Sequence, residues 1–175
     1  VILFPTTGGQ YYECKDRGLI ESARWFMEQG LVQIYCPNGI NEMSWYNKAI
    51  HPADKVKNHI LYDEFIMNEL VNRICHDKQT HKVAVAGPSF GGTQAANFAF
   101  RHPDRVSHMF SMSGAFDIKS FMDGYYDDNV YFNNPVDYMQ NASHSDLWNM
   151  DIVLGVGEWD ICLEANQNMA KILSD

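Results

Sequence analysis

Five short apolar runs punctuate the chain, and between them the hydrophobic positions fall at helical spacing. The runs are residues 1–5 (VILFP), 31–36 (LVQIYC), 82–86 (KVAVA), 106–112 (VSHMFSM) and 151–156 (DIVLGV). Their nearly continuous apolar character predicts strands buried on both faces of a parallel sheet. Residues 19–29 carry Ile20, Ala23, Trp25, Phe26 and Met27 and stop at Gly30, which predicts a helix. Pro52 opens a longer helix, with Val56, Ile60, Leu61, Phe65, Leu70 and Ile74 near helical period, expected to reach about His76. Residues 91–102 are small along one side (Gly92, Ala95, Ala96, Ala99), so a helix there can lie close on a sheet until Pro103 ends it. Residues 162–174 predict the last helix. Strands alternating with helices are βα units, so the expected fold class is α/β, a mostly parallel sheet with helices on both faces. Residues 119–148 break the rhythm. They are rich in Asp, Asn, Tyr and Phe and read as a lid-like insertion within a single core spanning 1–175.

Composition narrows the function classes. A chain of 175 residues, 46% hydrophobic and 20% charged, suits one globular domain. A net charge of −9 with no Lys/Arg cluster would repel a phosphate backbone, so no nucleic-acid partner is expected. No apolar run approaches the ~18 to 20 residues of a membrane span. The four cysteines, Cys14, Cys36, Cys75 and Cys162, form no CxxC pair, which argues against a zinc knuckle or a disulfide framework and for a reducing, cytoplasmic compartment. No metal-ligand spacing stands out, and no cofactor is expected. The first run has neither an initiator Met nor a basic lead, so it reads as a strand already under way rather than a signal peptide. With a helix running to the last residues, the chain is expected to be a fragment or ordered subset of a longer polypeptide.

The most specific chemistry lies at Gly87-Pro88-Ser89-Phe90-Gly91-Gly92, a G-x-S-x-G pattern between a predicted strand and a small-residue helix. A serine hydroxyl is a weak nucleophile unless a sharp strand-to-helix turn presents it to a base, and such a turn needs tiny neighbours, here Gly87 and Gly91. The Phe90 amide would sit at the helix N-terminus, where an N–H and the dipole can hold an oxyanion. A second donor is expected from Thr6-Thr7-Gly8-Gly9 after the first strand, with Thr7 ahead of Thr6. A phosphate-binding loop is the rival reading. It would open directly into a helix, whereas Tyr11 and Tyr12 follow here. Asp160, after the fifth run, is the candidate triad acid, with Glu158 nearer the strand and Asp117 after the fourth run as alternatives. All seven histidines precede Asp160, whereas the order in such hydrolases is Ser, acid, His. Only His144, in the irregular segment, stays open as a base.

These residues resemble the Putative esterase branch of the α/β-hydrolases, the group that includes esterase D and the mycolyltransferases. The likeness rests on VILFPTTGG, Ser44-Trp45-Tyr46-Asn47, AGPSFGG, SMSGAFD and GEWD. The stretch SMSGAFDIKSFMDGYYDDNVYFNNPVDY looks like that of a bacterial esterase-like subgroup. The resemblance implies cofactor-free hydrolysis of a small acyl ester or thioester through an acyl-enzyme. It further implies strands before Val1, and a strand and a histidine-bearing loop after Asp175. Trp45, Tyr46 and Trp159 are expected to line the substrate pocket, with Tyr125, Tyr126, Tyr131 and Phe132 as further aromatic candidates. An acyltransferase, or a noncatalytic hydrolase-fold binding module, is the alternative. Oligomeric state is not legible.

Overall fold

In the computed structural model, which describes residues 1–174, four strands lie side by side in chain order and every neighbouring pair is parallel. They are β1 (Ile2–Leu3), β2 (Val83–Pro88), β3 (Val106–Met112) and β4 (Asp151–Gly155). Asp175, and any continuation beyond it, lies outside the described residues. The register sets Ile2 against Val85, Val85 against Met109 and Met109 against Ile152.

The run at 31–36 corrects the expectation of a fifth full strand. Only Tyr35 pairs, as a single parallel bridge to Ile2. Its N–H donates to the Val1 carbonyl and its own carbonyl accepts from Leu3, both at 2.9 Å. The segment is an edge with one partner, and Pro37 follows without an N–H to extend a ladder.

Period explains the helices and their faults. The predicted helix at 19–29 breaks into α2 (Leu19–Ser22) and α3 (Arg24–Glu28), after the short α1 (Glu13–Asp16). Trp25, Phe26 and Met27 are consecutive rather than 3.6-spaced, so no helix orientation buries all three, and all are exposed. The long helix is α4 (Pro52–Phe65), a π-helical turn at Ile66–Val71, and α5 (Asn72–Lys78). The wider turn brings Ile66 and Val71, five apart, onto one buried face. Residues 90–100 of α6 (Phe90–Arg101) are all buried, and the small side chains let the helix press on β2 and β3. The short α7 (Asp128–Tyr131) and α8 (Pro135–Tyr138) follow within the irregular segment, and α9 (Leu163–Ser174) closes the described chain.

The two sheet faces are unequally covered. Ile2, Val85 and Met109 share one core with Phe4, with Tyr62 of α4, Ala95 and Ala99 of α6 and Met169 of α9. Leu3 and Ala86 alternate to the opposite face, against Cys14 of α1 with Leu19 and Ile20 of α2. Burial on both faces therefore holds for β1 and β2. It fails on β3 and β4, where Phe110 and its register partner Val153 remain 36% and 49% exposed because α1 and α2 do not reach them. The 119–148 segment is packed down rather than projecting: Met122 and Val130 share a buried cluster with Ile118, Trp45, Val56 and Phe90. Among the described residues no helix is long and apolar enough to cross a membrane.

Candidate active site

Strand β2 ends at Pro88 and α6 begins at Phe90, leaving Ser89 alone in the turn between them. Its backbone sits at φ 54°, ψ −126°, a region L-residues rarely occupy, held there by its N–H donating to the Met112 carbonyl at 2.7 Å. The glycines give the turn its clearance. A Cβ on Gly87 would collide with the Gly91 backbone, and one on Gly91 would lie 2.5 Å from the Phe4 carbonyl oxygen. The Ser89 side chain is exposed. As the first residue of α6, Phe90 has an N–H with no carbonyl one turn behind it to bond.

The loop after β1 is fixed by a residue the sequence did not single out. Glu13 on α1 accepts from the Thr6 amide at 2.9 Å and from the Thr6 hydroxyl at 2.5 Å. Burial pushes the Glu13 carboxyl up, but these two hydrogen bonds and Arg17 outweigh it and hold the group below its ordinary range. The Thr6 amide is thereby consumed. The Thr7 amide is not among the paired backbone groups, and the Thr7 hydroxyl shares a 3.1 Å hydrogen bond with Tyr46. Seven residues separate Thr6 from Glu13, so only the fold could show this contact.

Asp160 is held at both carboxylate oxygens. Oδ1 accepts from the Cys162 N–H and Oδ2 from the Ser113 hydroxyl, each at 2.7 Å, and these bonds keep its carboxyl below the ordinary aspartate range. Glu158 is exposed and makes no ion pair or hydrogen bond among the described residues. Asp117 closes a local turn, accepting from Lys119 N–H at 2.9 Å, with the Lys119 ammonium 3.5 Å away.

Of the expected pocket residues, Tyr46 is the exposed one whose ring meets the elbow. Its ring meets Phe90 at 5.6 Å and Phe121 at 4.8 Å, and Phe121 meets Phe90 at 5.7 Å. Lys55, itself buried, secures this wall by donating to the Phe121 carbonyl at 2.7 Å. Trp45 is corrected to a core residue: it is 2% exposed and packs on His59 at 4.8 Å. Trp159 is 91% exposed and lies in the acid loop. A groove of about 670 Å³, lined by Tyr35, Leu61, Tyr62, Phe65 and Leu70 among others, contains none of the elbow, loop or acid residues.

None of the seven histidines hydrogen-bonds Ser89 or Asp160 in the described residues. His59 is buried beneath α6 with Nε2 3.1 Å from Asn97, and burial drives its pKa down to about 4. His102 pairs with Asp63 at 2.7 Å, and His108 lies 3.1 Å from Asp151. His76 contacts Asp77, His51 caps α4, and the His81 carbonyl accepts from Arg105. His144 accepts from the Asp146 amide, and Asp146 pairs with Lys82, just before β2 begins. Ser89 lies beyond the other end of that strand, about 20 Å along six residues.

A sequence profile described as Putative esterase matches residues 22–174. Among solved structures, a ferulic acid esterase superposes with TM-score 0.71 at 20% identity, over 99% of this chain and 70% of that one. FphF, a fluorophosphonate-binding serine hydrolase of Staphylococcus aureus in a substrate-bound structure, superposes with TM-score 0.69 at 18% identity, over 99% of this chain and 69% of that one. No curated protein matches. At these identities the two superpositions establish a shared α/β-hydrolase fold.

Proposed function

This chain belongs to the Putative esterase family, and from that premise we propose that it hydrolyses carboxylic esters or thioesters through an acyl-enzyme on Ser89. The observation that carries the reading is the strained, exposed Ser89 at the N-terminus of α6, opposite a β1 loop whose Thr7 amide is left unspent.

In this reading the Ser89 oxygen attacks the acyl carbon while a histidine takes its proton. The carbonyl electrons move onto an oxyanion held by the Thr7 and Phe90 amides. The bond to the leaving alcohol or thiol then breaks, and that group departs with the proton. Water repeats the sequence on the acyl-enzyme and releases the acid and free Ser89. Asp160 orients the histidine. None of the seven histidines hydrogen-bonds Ser89 or Asp160 among the described residues, so in this reading the base is a histidine supplied after α9, in the order Ser, acid, His. The Tyr46–Phe90–Phe121 wall is placed to receive the apolar part of a substrate.

The test is turnover of short acyl esters by the protein expressed from its complete gene. Ser89→Ala should lower kcat by about four orders of magnitude or more. Asp160→Asn should lower it about 10³ to 10⁴ through the wrong histidine tautomer, and Asp117→Asn should leave it nearly unchanged. Activity of Ser89→Ala within about tenfold of the parent would place the nucleophile elsewhere.

A further inference from the structure

The backbone of Ser113 is strained in the same sense as that of Ser89. At the end of β3 it stands at φ 58°, where a non-glycine residue pays for its Cβ. Its N–H donates to the Gly155 carbonyl at 2.7 Å, which carries the β3–β4 pairing one step past the last register pair. The conformation delivers the Ser113 hydroxyl to Asp160 Oδ2, 47 residues away in sequence, at 2.7 Å. Strain kept at a position whose side-chain hydrogen bond among the described residues goes to the candidate acid points to a use of that bond.

We propose that Ser113 is a positioning residue that aims the Asp160 carboxylate for the catalytic histidine; this rests on the esterase reading above. With the Cys162 amide on Oδ1 and the Ser113 hydroxyl on Oδ2, and the Cys162 thiol beside them as a weak third donor, both oxygens are fixed in space and the carboxylate still has lone-pair capacity to spare. A histidine N–H can therefore join without displacing either donor. The titratable group that touches the acid is the Cys162 thiol, and Glu158 and Glu164 are its acidic neighbours in sequence. Among the described residues no Lys, Arg or His forms an ion pair with Asp160. Neutral donors are thus what hold the charge in place.

Two variants separate aiming from mere structure. Ser113→Gly removes the hydroxyl and suits the left-handed backbone, so its melting temperature should equal or exceed the parent's. Ser113→Ala removes the hydroxyl and keeps the strain. In both, carboxyl ¹³C NMR of the 175-residue chain should show Asp160 titrating at higher pH than in the parent. In the protein expressed from the complete gene, kcat of Ser113→Gly should fall about tenfold, with KM within about twofold. An Asp160 titration unmoved in Ser113→Gly overturns the proposal whatever the activity. A moved titration with parental kcat overturns it too, reducing Ser113 to a brace for the α9 entry. A parent with no Ser89-dependent turnover defeats the esterase reading and the positioning role together, while the titration still reports the hydrogen bond.

Discussion

Gly91 lies directly against Phe4: a Cβ on Gly91 would come 2.5 Å from the Phe4 carbonyl oxygen and 2.6 Å from that of Pro5. The elbow and the loop that would supply the second oxyanion donor are therefore locked at backbone distance, with no side chain between them to yield. Gly91→Ala must push α6 and β1 apart. It should lower stability by about 1 to 3 kcal/mol in urea unfolding and lower turnover by more than stability loss explains. Gly157→Ala, whose added Cβ meets only Asp160 Cβ at 3.8 Å, should leave stability nearly unchanged and serves as its control.

Adjacent aromatics should part company on mutation. Trp45 is interior and Tyr46 half-exposed, so Trp45→Ala should cost about 3 to 5 kcal/mol of stability. Tyr46→Phe removes only the hydroxyl that meets Thr7, and should cost under about 1 kcal/mol while lowering turnover through a looser loop. Equal stability losses would mean that Trp45 is not the core residue its burial indicates.

Glu13 predicts a pH dependence. Its folded carboxyl lies below the ordinary value of 4.5, so its contribution to stability is complete above that value and is lost as pH falls through the lower folded pKa. Glu13→Gln leaves only one oxygen to accept from Thr6. Urea midpoints should therefore separate parent from variant at pH 7 and converge as pH drops below about 4.5. A gap that widens on acidification would reverse the sign and show that the protonated form is the one stabilised.

Much of the frame was legible because it obeys local rules. The strand, glycine turn and small-residue helix around Ser89 are consecutive, so period and side-chain size alone locate the elbow. At 31–36 an apolar run does not reveal whether a neighbour exists on its far side, and Tyr35 alone of that run forms a bridge. The exposed Phe110 and Val153 have the same origin, since apolar character cannot report which helices reach them. The contacts that fix the site were hidden for another reason. Glu13 to Thr6 and Ser113 to Asp160 join residues whose meeting depends on the completed fold. Trp45 and Tyr46 show the limit of motif reading: one residue apart, they point to the interior and to the elbow, and the sequence marked both as pocket.

The central claim is that Ser89 is an activated nucleophile, and covalent labelling tests it most directly. The protein expressed from its complete gene should react with a fluorophosphonate probe, tryptic mass spectrometry should place one adduct on Ser89, and Ser89→Ala should remain unmodified. Residues 1–175 expressed alone should label at least about 100-fold more slowly, because the proposed base is a histidine outside them. An unmodified Ser89 in the complete protein, or an adduct on another serine that persists in Ser89→Ala, would contradict the account.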